Sequence, residues 1–144
     1  MSTQITEVTT NWKGGMAFIG ENASGGKVQI GTLEGTPGVG PMQLLLFGLA
    51  GCTGMDIISI LEKKRKNIHD LKMVIKATRA ADFPMIWTDI HIKYLLWSDN
   101  TKSKELEQAI RLSEEKYCSV GIMLGKSAVI TSDHQILKPG EMPA

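Results

Sequence analysis

Two cysteines, Cys52 and Cys118, are the residues of this 144-residue chain best suited to redox chemistry. A thiolate is the nucleophile that peroxides oxidise, and a second thiol within reach can convert the oxidised sulfur into a disulfide. Taken alone, however, a cysteine is more often a small buried hydrophobic residue. Two cysteines are also too few for the disulfide framework of a small secreted domain. The segments around them must therefore decide their role.

The first cysteine lies in a long apolar segment that predicts a central helix. Pro41 is a favourable first helical residue, and residues 42–61 are apolar on nearly all sides. The basic residues 63–66 follow, at the position where a helix C-terminus favours positive charge. A membrane span is the competing interpretation, but Asp56 would cost about 2.5–3.5 kcal/mol near its middle. We therefore expect a buried helix and no membrane partner.

Small and acidic residues on this helix suggest how it packs. Gly48, Gly51 and Gly54 recur at every third position, which indicates the close approach of a second helix, from the same chain or from a second subunit. Asp56 follows Cys52 by one turn. Because a nearby carboxylate discourages a thiolate, Asp56 is predicted to be a structural group bonded to the backbone or to a partner chain.

The remaining pattern predicts strands on both sides of the central helix and one further helix. Period-two alternation indicates the strands, and apolar residues at three- and four-residue spacing indicate the second helix. The predicted strands are residues 4–12, 16–19, 27–30, 71–78, 86–96, 127–132 and 134–137, and the helix is residues 102–117. This order predicts an α+β fold, and the length predicts a single domain over residues 1–144.

Composition and charge exclude several functions. Sixteen Lys and Arg against fifteen Asp and Glu leave a formal charge of +1, which argues against a nucleic-acid partner. The N-terminal residues lack the pattern of a signal peptide, so a cytoplasmic protein is expected. His69, His91 and His134 lie in no recognisable motif for a cysteine–histidine hydrolase, and no Cys/His spacing predicts a zinc site. We expect neither a metal nor a cofactor.

The segments GPMQLLLFGLAGCTGMD (residues 40–56) and SEEKYCSV (residues 113–120) resemble the OsmC/Ohr family, and most closely its OsmC-like branch. The resemblance implies antiparallel sheets beside a long central helix, in an intertwined homodimer. It also implies reduction of organic hydroperoxides during oxidative or osmotic stress. In that role Cys52 would be the peroxidatic thiol and Cys118 the resolving thiol, and a dithiol would reduce the disulfide.

Two assisting residues of the peroxide-reducing members of that family have no counterpart here. Their arginine follows a Gly-Gly turn, where this chain has Met16, and their glutamate follows the proline that opens the helix, where it has Met42 and then Gln43. Lys13 is the nearby cation that could substitute for the arginine. These four residues are the predicted substrate pocket. Two functions therefore remain open: a thiol peroxidase, or a noncatalytic dimer that binds a small apolar ligand or is only structural.

Overall fold

The computed structural model describes residues 3–143, and these form two compact units that divide between Leu45 and Leu46. Three strands come first, followed by a long helix, two strands, a helical segment and a last strand. This order confirms the predicted α+β fold.

The first unit contains a small antiparallel sheet. Strands β1 (Val8–Gly14), β2 (Ala17–Asn22) and β3 (Lys27–Ile30) pair in sequence order. The first turn uses Gly14 and Gly15, whose φ angles of 106° and 54° lie in the region that glycine adopts without strain. The predicted meander and its glycine turn are confirmed.

The second unit contains a mixed sheet in the order β4–β5–β6. Strands β4 (Asp70–Arg79) and β5 (Trp87–Trp97) are antiparallel, whereas β6 (Val129–Leu137) runs parallel to β5. Parallel neighbours need a long crossover connection, and the helices between β5 and β6 supply it. The antiparallel pairing that the family resemblance implies is therefore correct for the first sheet and for β4–β5, but wrong for β5–β6. The two short strands predicted at residues 127–132 and 134–137 are one continuous strand.

Three α-helices and one π-helix complete the described part of the chain, residues 3–143. Helix α1 spans Pro41–Lys63, as the apolar segment predicted, and helix α2 spans Ser103–Leu112. The prediction that α2 continues to residue 117 is wrong, because Ser113–Tyr117 forms a π-helix closed by a 2.8 Å bond from the Cys118 amide to the Ser113 carbonyl. A short helix α3 (Ser119–Leu124), which the sequence analysis missed, follows directly.

The core of the second unit lies between one face of α1 and the mixed sheet. Leu49, Ile57 and Leu61 of α1 are buried there with Ile92 and Leu96 of β5. The rest of α1 is more exposed. The helix is long and apolar enough to cross a membrane, and only 28% of its most apolar window is buried in this chain. This helix therefore presents an apolar face that its own unit leaves uncovered.

Within residues 3–143 the helical glycines do not pack against the second helix predicted at residues 102–117, and an approach from a second subunit stays a prediction. A β-carbon added at Gly54 would lie 2.8 Å from Cε of Met73 on β4, so a strand, and not helix α2, makes the close approach there. A β-carbon at Gly48 would lie 3.9 Å from Val120 of α3. At Gly51 it would have no neighbour within 4 Å outside its own stretch of helix, among the residues that the structure describes.

Candidate functional site

Both cysteines and Asp56 meet at one place in the second unit. The Sγ atoms of Cys52 and Cys118 and a carboxylate oxygen of Asp56 all lie within 4.8 Å of one another. Neither cysteine is in a disulfide. A disulfide requires the sulfurs to approach to about 2.05 Å, so a modest movement of the two side chains would join them.

Two different pieces of local structure bring these groups together. Cys52 and Asp56 are four residues apart on α1, and this spacing places them on the same face of a helix. Cys118 lies between the π-helix and α3, where its backbone is extended (φ −78°, ψ 95°) and it caps the N-terminus of α3. A π-helical turn is wider than an α-helical one and is frequent at functional sites. The change from α-helix to π-helix therefore determines the position of Cys118 at the end of the segment.

Hydrogen bonds from two further residues hold the carboxylate and the buried sulfur. Ser113 Oγ donates to Asp56 Oδ2 at 2.9 Å, and the Gly121 amide donates to Cys118 Sγ at 3.2 Å. A β-carbon at Gly121 would lie 3.1 Å from that sulfur, so glycine allows the backbone to approach it. The prediction that Asp56 bonds to the backbone or to a partner chain is wrong, because its partner is a side chain of the same chain, 57 residues away.

The two thiols differ in exposure. Cys118 is fully buried, whereas Cys52 and Asp56 are partly exposed. Burial raises the pKa of the Cys118 thiol to about 12, and the neighbouring Cys52 and Asp56 also raise it, while the Gly121 amide lowers it in part. Cys118 is therefore a neutral thiol at physiological pH. A reagent from solvent meets Cys52 first.

The four predicted pocket residues lie in the first unit. Lys13 is exposed on β1, and Met16 is 86% exposed in the turn after it. Met42 is the second residue of α1, and Gln43 Oε1 accepts a 2.7 Å bond from the Gly40 amide. Gln43 therefore caps α1, a role that the sequence analysis missed. That these residues line the thiol site stays a prediction.

The three histidines have other partners. His91 Nε2 lies 2.7 Å from Asp133 Oδ1, and His69 Nε2 lies 3.6 Å from Asp99 Oδ2. His134 Nε2 lies 3.2 Å from Ser103 Oγ. Within residues 3–143, the cluster of potential metal ligands around Cys52 contains no histidine. The cysteine–histidine hydrolase, already disfavoured by the sequence, gains no support here.

An apolar groove of about 790 Å³ lies between α1 and β4 in the second unit. Gly51, Gly54, Met55 and Met73 line it, and Met55 is 76% exposed. Lys63 and Asp70 lie among its polar lining residues. A surface of this size and chemistry suits either a small apolar ligand or a second protein surface.

The chain is similar in sequence to a known protein family and to a protein of Escherichia coli. The family model described as OsmC-like protein matches residues 33–133, a span that includes both cysteines. Protein YhfA of Escherichia coli K12 is 30% identical over 131 residues, which cover 91% of this chain and 98% of that protein.

Solved structures give the same result for the fold. A hypothetical protein from Aquifex aeolicus VF5 is 32% identical, with a TM-score of 0.84 over 94% of this chain and 98% of its own. An organic hydroperoxide resistance protein OsmC from Legionella pneumophila is 16% identical, with a TM-score of 0.66 over 94% of this chain and 99% of its own. At that identity the second likeness concerns the fold alone.

Proposed function

The chain belongs to the OsmC-like protein family, and we propose that it is a thiol-dependent reductase of organic hydroperoxides. Cys52 is the peroxidatic thiol and Cys118 the resolving thiol. The role is a response to peroxide stress in the cytoplasm, where dithiol reductants are present. The observation that carries the proposal is the proximity of two free thiols with unlike exposure.

The chemistry requires two steps at the two sulfurs. The Cys52 thiolate attacks the terminal oxygen of the hydroperoxide, so that an S–O bond forms, the O–O bond breaks and an alcohol leaves after taking a proton. The peroxide gains two electrons, and Cys52 becomes a sulfenic acid. Cys118 then attacks that sulfur, an S–S bond forms and water leaves. An external dithiol reduces the disulfide and restores both thiols.

The different exposure of the two thiols supports this order of steps. Cys52 is partly exposed, so a bulky organic peroxide can reach it, whereas Cys118 is buried and can meet only a group already held inside the site. The reverse assignment would require the peroxide to enter the core. The closeness of the two sulfur atoms then favours disulfide formation over further oxidation of Cys52.

We infer that the working form is a homodimer. Helix α1 leaves an apolar face uncovered, including Phe47 and Met55, and the groove beside it is apolar. A second copy of the chain is the partner that the family resemblance implies. Met55→Asp should therefore shift the protein toward monomer in sedimentation experiments, because it would bury a charge at the interface. Met142→Asp, at a methionine of similar exposure, is the matched control and should leave the mass unchanged.

Consumption of cumene hydroperoxide with dithiothreitol as reductant tests the enzymatic role. The wild type should consume the peroxide over many turnovers, and Cys52→Ser should show only the rate without protein. A wild type that is no faster than this background, while folded and reduced, would contradict the proposal.

The apolar groove favours a second candidate, a noncatalytic dimer that binds a small apolar ligand or has a purely structural role. Met16 and Met42, in place of the family's arginine and glutamate, agree with this alternative. In that case Cys52→Ser and Cys118→Ser should both bind an apolar fluorescent probe as the wild type does, and neither variant nor the wild type should consume peroxide.

A further inference from the structure

The cluster of Cys52, Cys118 and Asp56 has the composition of a metal site, which the sequence analysis did not predict because it considered only cysteine and histidine spacing. We propose that the reduced protein binds one thiophilic divalent cation, best represented by Zn²⁺, through these three side chains. This proposal goes beyond the peroxide chemistry and does not depend on it.

The spacing of the three groups fits such an ion. Zn²⁺ is held by sulfur at about 2.3 Å, so tetrahedral sulfur ligands lie roughly 3.8 Å apart. The two sulfurs and the carboxylate oxygen already lie within 4.8 Å of one another, and a small contraction would bring them to that distance. Cys52 and Asp56 are partly exposed, which gives an ion a route of entry and leaves solvent to supply a fourth ligand.

The donor types select the class of metal. Thiolates are soft ligands that favour zinc and similar ions over Mg²⁺ or Ca²⁺, which prefer all-oxygen sites. Two thiolates and one carboxylate carry three negative charges, so they offset the charge of a divalent ion and leave the loaded site with a net charge of −1. Within residues 3–143, no other group of three Cys, His, Asp or Glu side chains lies close enough together to hold a metal ion.

Neighbouring groups already orient two of the ligands. Ser113 donates to the Asp56 carboxylate, and the Gly121 amide donates to the Cys118 sulfur. Outer hydrogen bonds of this kind hold metal ligands in place and affect affinity substantially. The bond from Ser113 uses one of the two carboxylate oxygens of Asp56, Oδ2, and a carboxylate that accepts such a bond can still ligate an ion.

Titration of the reduced protein with Co²⁺ in the absence of oxygen tests the site, since Co²⁺ bound by thiolates gives an intense charge-transfer absorption. We expect saturation at one ion per chain and displacement by Zn²⁺, with no displacement by Mg²⁺. Asp56→Asn should weaken binding by about tenfold or more. Asp82→Asn, at an exposed aspartate, is the matched control and should bind as the wild type does.

A measurement on the wild type alone guards against a variant that does not fold. Zn²⁺ should slow alkylation of Cys52 by iodoacetamide, and Mg²⁺ should not. Absence of the Co²⁺ absorption, or equal alkylation with and without Zn²⁺, would overturn the proposal. Peroxide turnover is assayed in metal-free buffer, so failure of the metal site and failure of the proposed enzyme are separate results.

Discussion

The regular turn of helix α1 that carries Cys52 contrasts with the irregular junction that carries Cys118. Cys52 sits on a continuous 23-residue helix and is partly open to solvent. Cys118 lies between a π-helix and a short α-helix, is fully buried, and accepts a hydrogen bond from Gly121. Two residues of the same type therefore differ in their access to solvent and in the local structure that holds them.

This difference explains how two thiols of one chain can have two roles, one peroxidatic and one resolving. The accessible sulfur, Cys52, meets an external reagent first. The irregular junction keeps the other sulfur, Cys118, buried, where it can react with oxidised Cys52. Asp56, fixed by Ser113, lies beside both sulfurs.

Replacing the buried thiol should trap the oxidised form of the accessible one. In Cys118→Ser, one equivalent of cumene hydroperoxide should leave Cys52 as a sulfenic acid that dimedone labels, because no resolving thiol remains. Serine is a good N-cap residue, so α3 should still form. Cys52→Ser is the partner variant, and its Cys118 should stay reduced. Oxidation of Cys118 in that variant at the rate of wild-type Cys52 would reverse the assignment.

The exposure contrast also predicts unequal alkylation. In the native reduced protein, iodoacetamide should modify Cys52 well before Cys118, because the buried thiol with its raised pKa is protected from reagent and from deprotonation. Both should react alike in denaturant. Peptide mass spectrometry at timed intervals measures the two rates. Equal rates in the native protein would show that the junction opens readily and that access does not distinguish the thiols.

A smaller effect should follow from crowding the junction. Gly121→Ala places a methyl carbon about 3.1 Å from Cys118 Sγ and 3.4 Å from Leu49 Cδ1. Overpacking of this kind costs about 1–3 kcal/mol, partly offset by the better helix propensity of alanine. We expect a lower free energy of unfolding, measured with urea, and slower disulfide formation after peroxide addition.

Gly48→Ala is the control for that change, because its new methyl carbon would meet its nearest neighbour at an ordinary 3.9 Å. Its free energy of unfolding should stay equal to that of the wild type or rise. If both variants behave alike, the close approach at Gly121 does not constrain the sulfur.

Regular elements could be predicted from the sequence because they have a period. The alternation of Ile90, Ile92, Tyr94 and Leu96 identified β5, and the apolar run after Pro41 identified α1 almost to its ends. The two cysteines were identified by type and by family resemblance. These features depend on local pattern, which a single sequence displays directly.

The features that shape the site have no such pattern. A π-helix at Ser113–Tyr117 adds one residue to a turn without changing the apolar spacing before it, so the segment looked like the end of an α-helix. The bond between Ser113 and Asp56 joins residues far apart in the chain. The spacing of Cys52 and Asp56, four residues apart on one helix, was the available signal for their shared face.

The central claim is that Cys52 and Cys118 form one redox pair, and counting free thiols after a single addition of peroxide tests it most directly. Reduced wild-type protein, mixed with one equivalent of cumene hydroperoxide per chain, should lose both free thiols. Peptide mapping should then find a disulfide between Cys52 and Cys118 of the same chain. Loss of only one thiol, persistence of both, or a disulfide that links two chains would contradict the account.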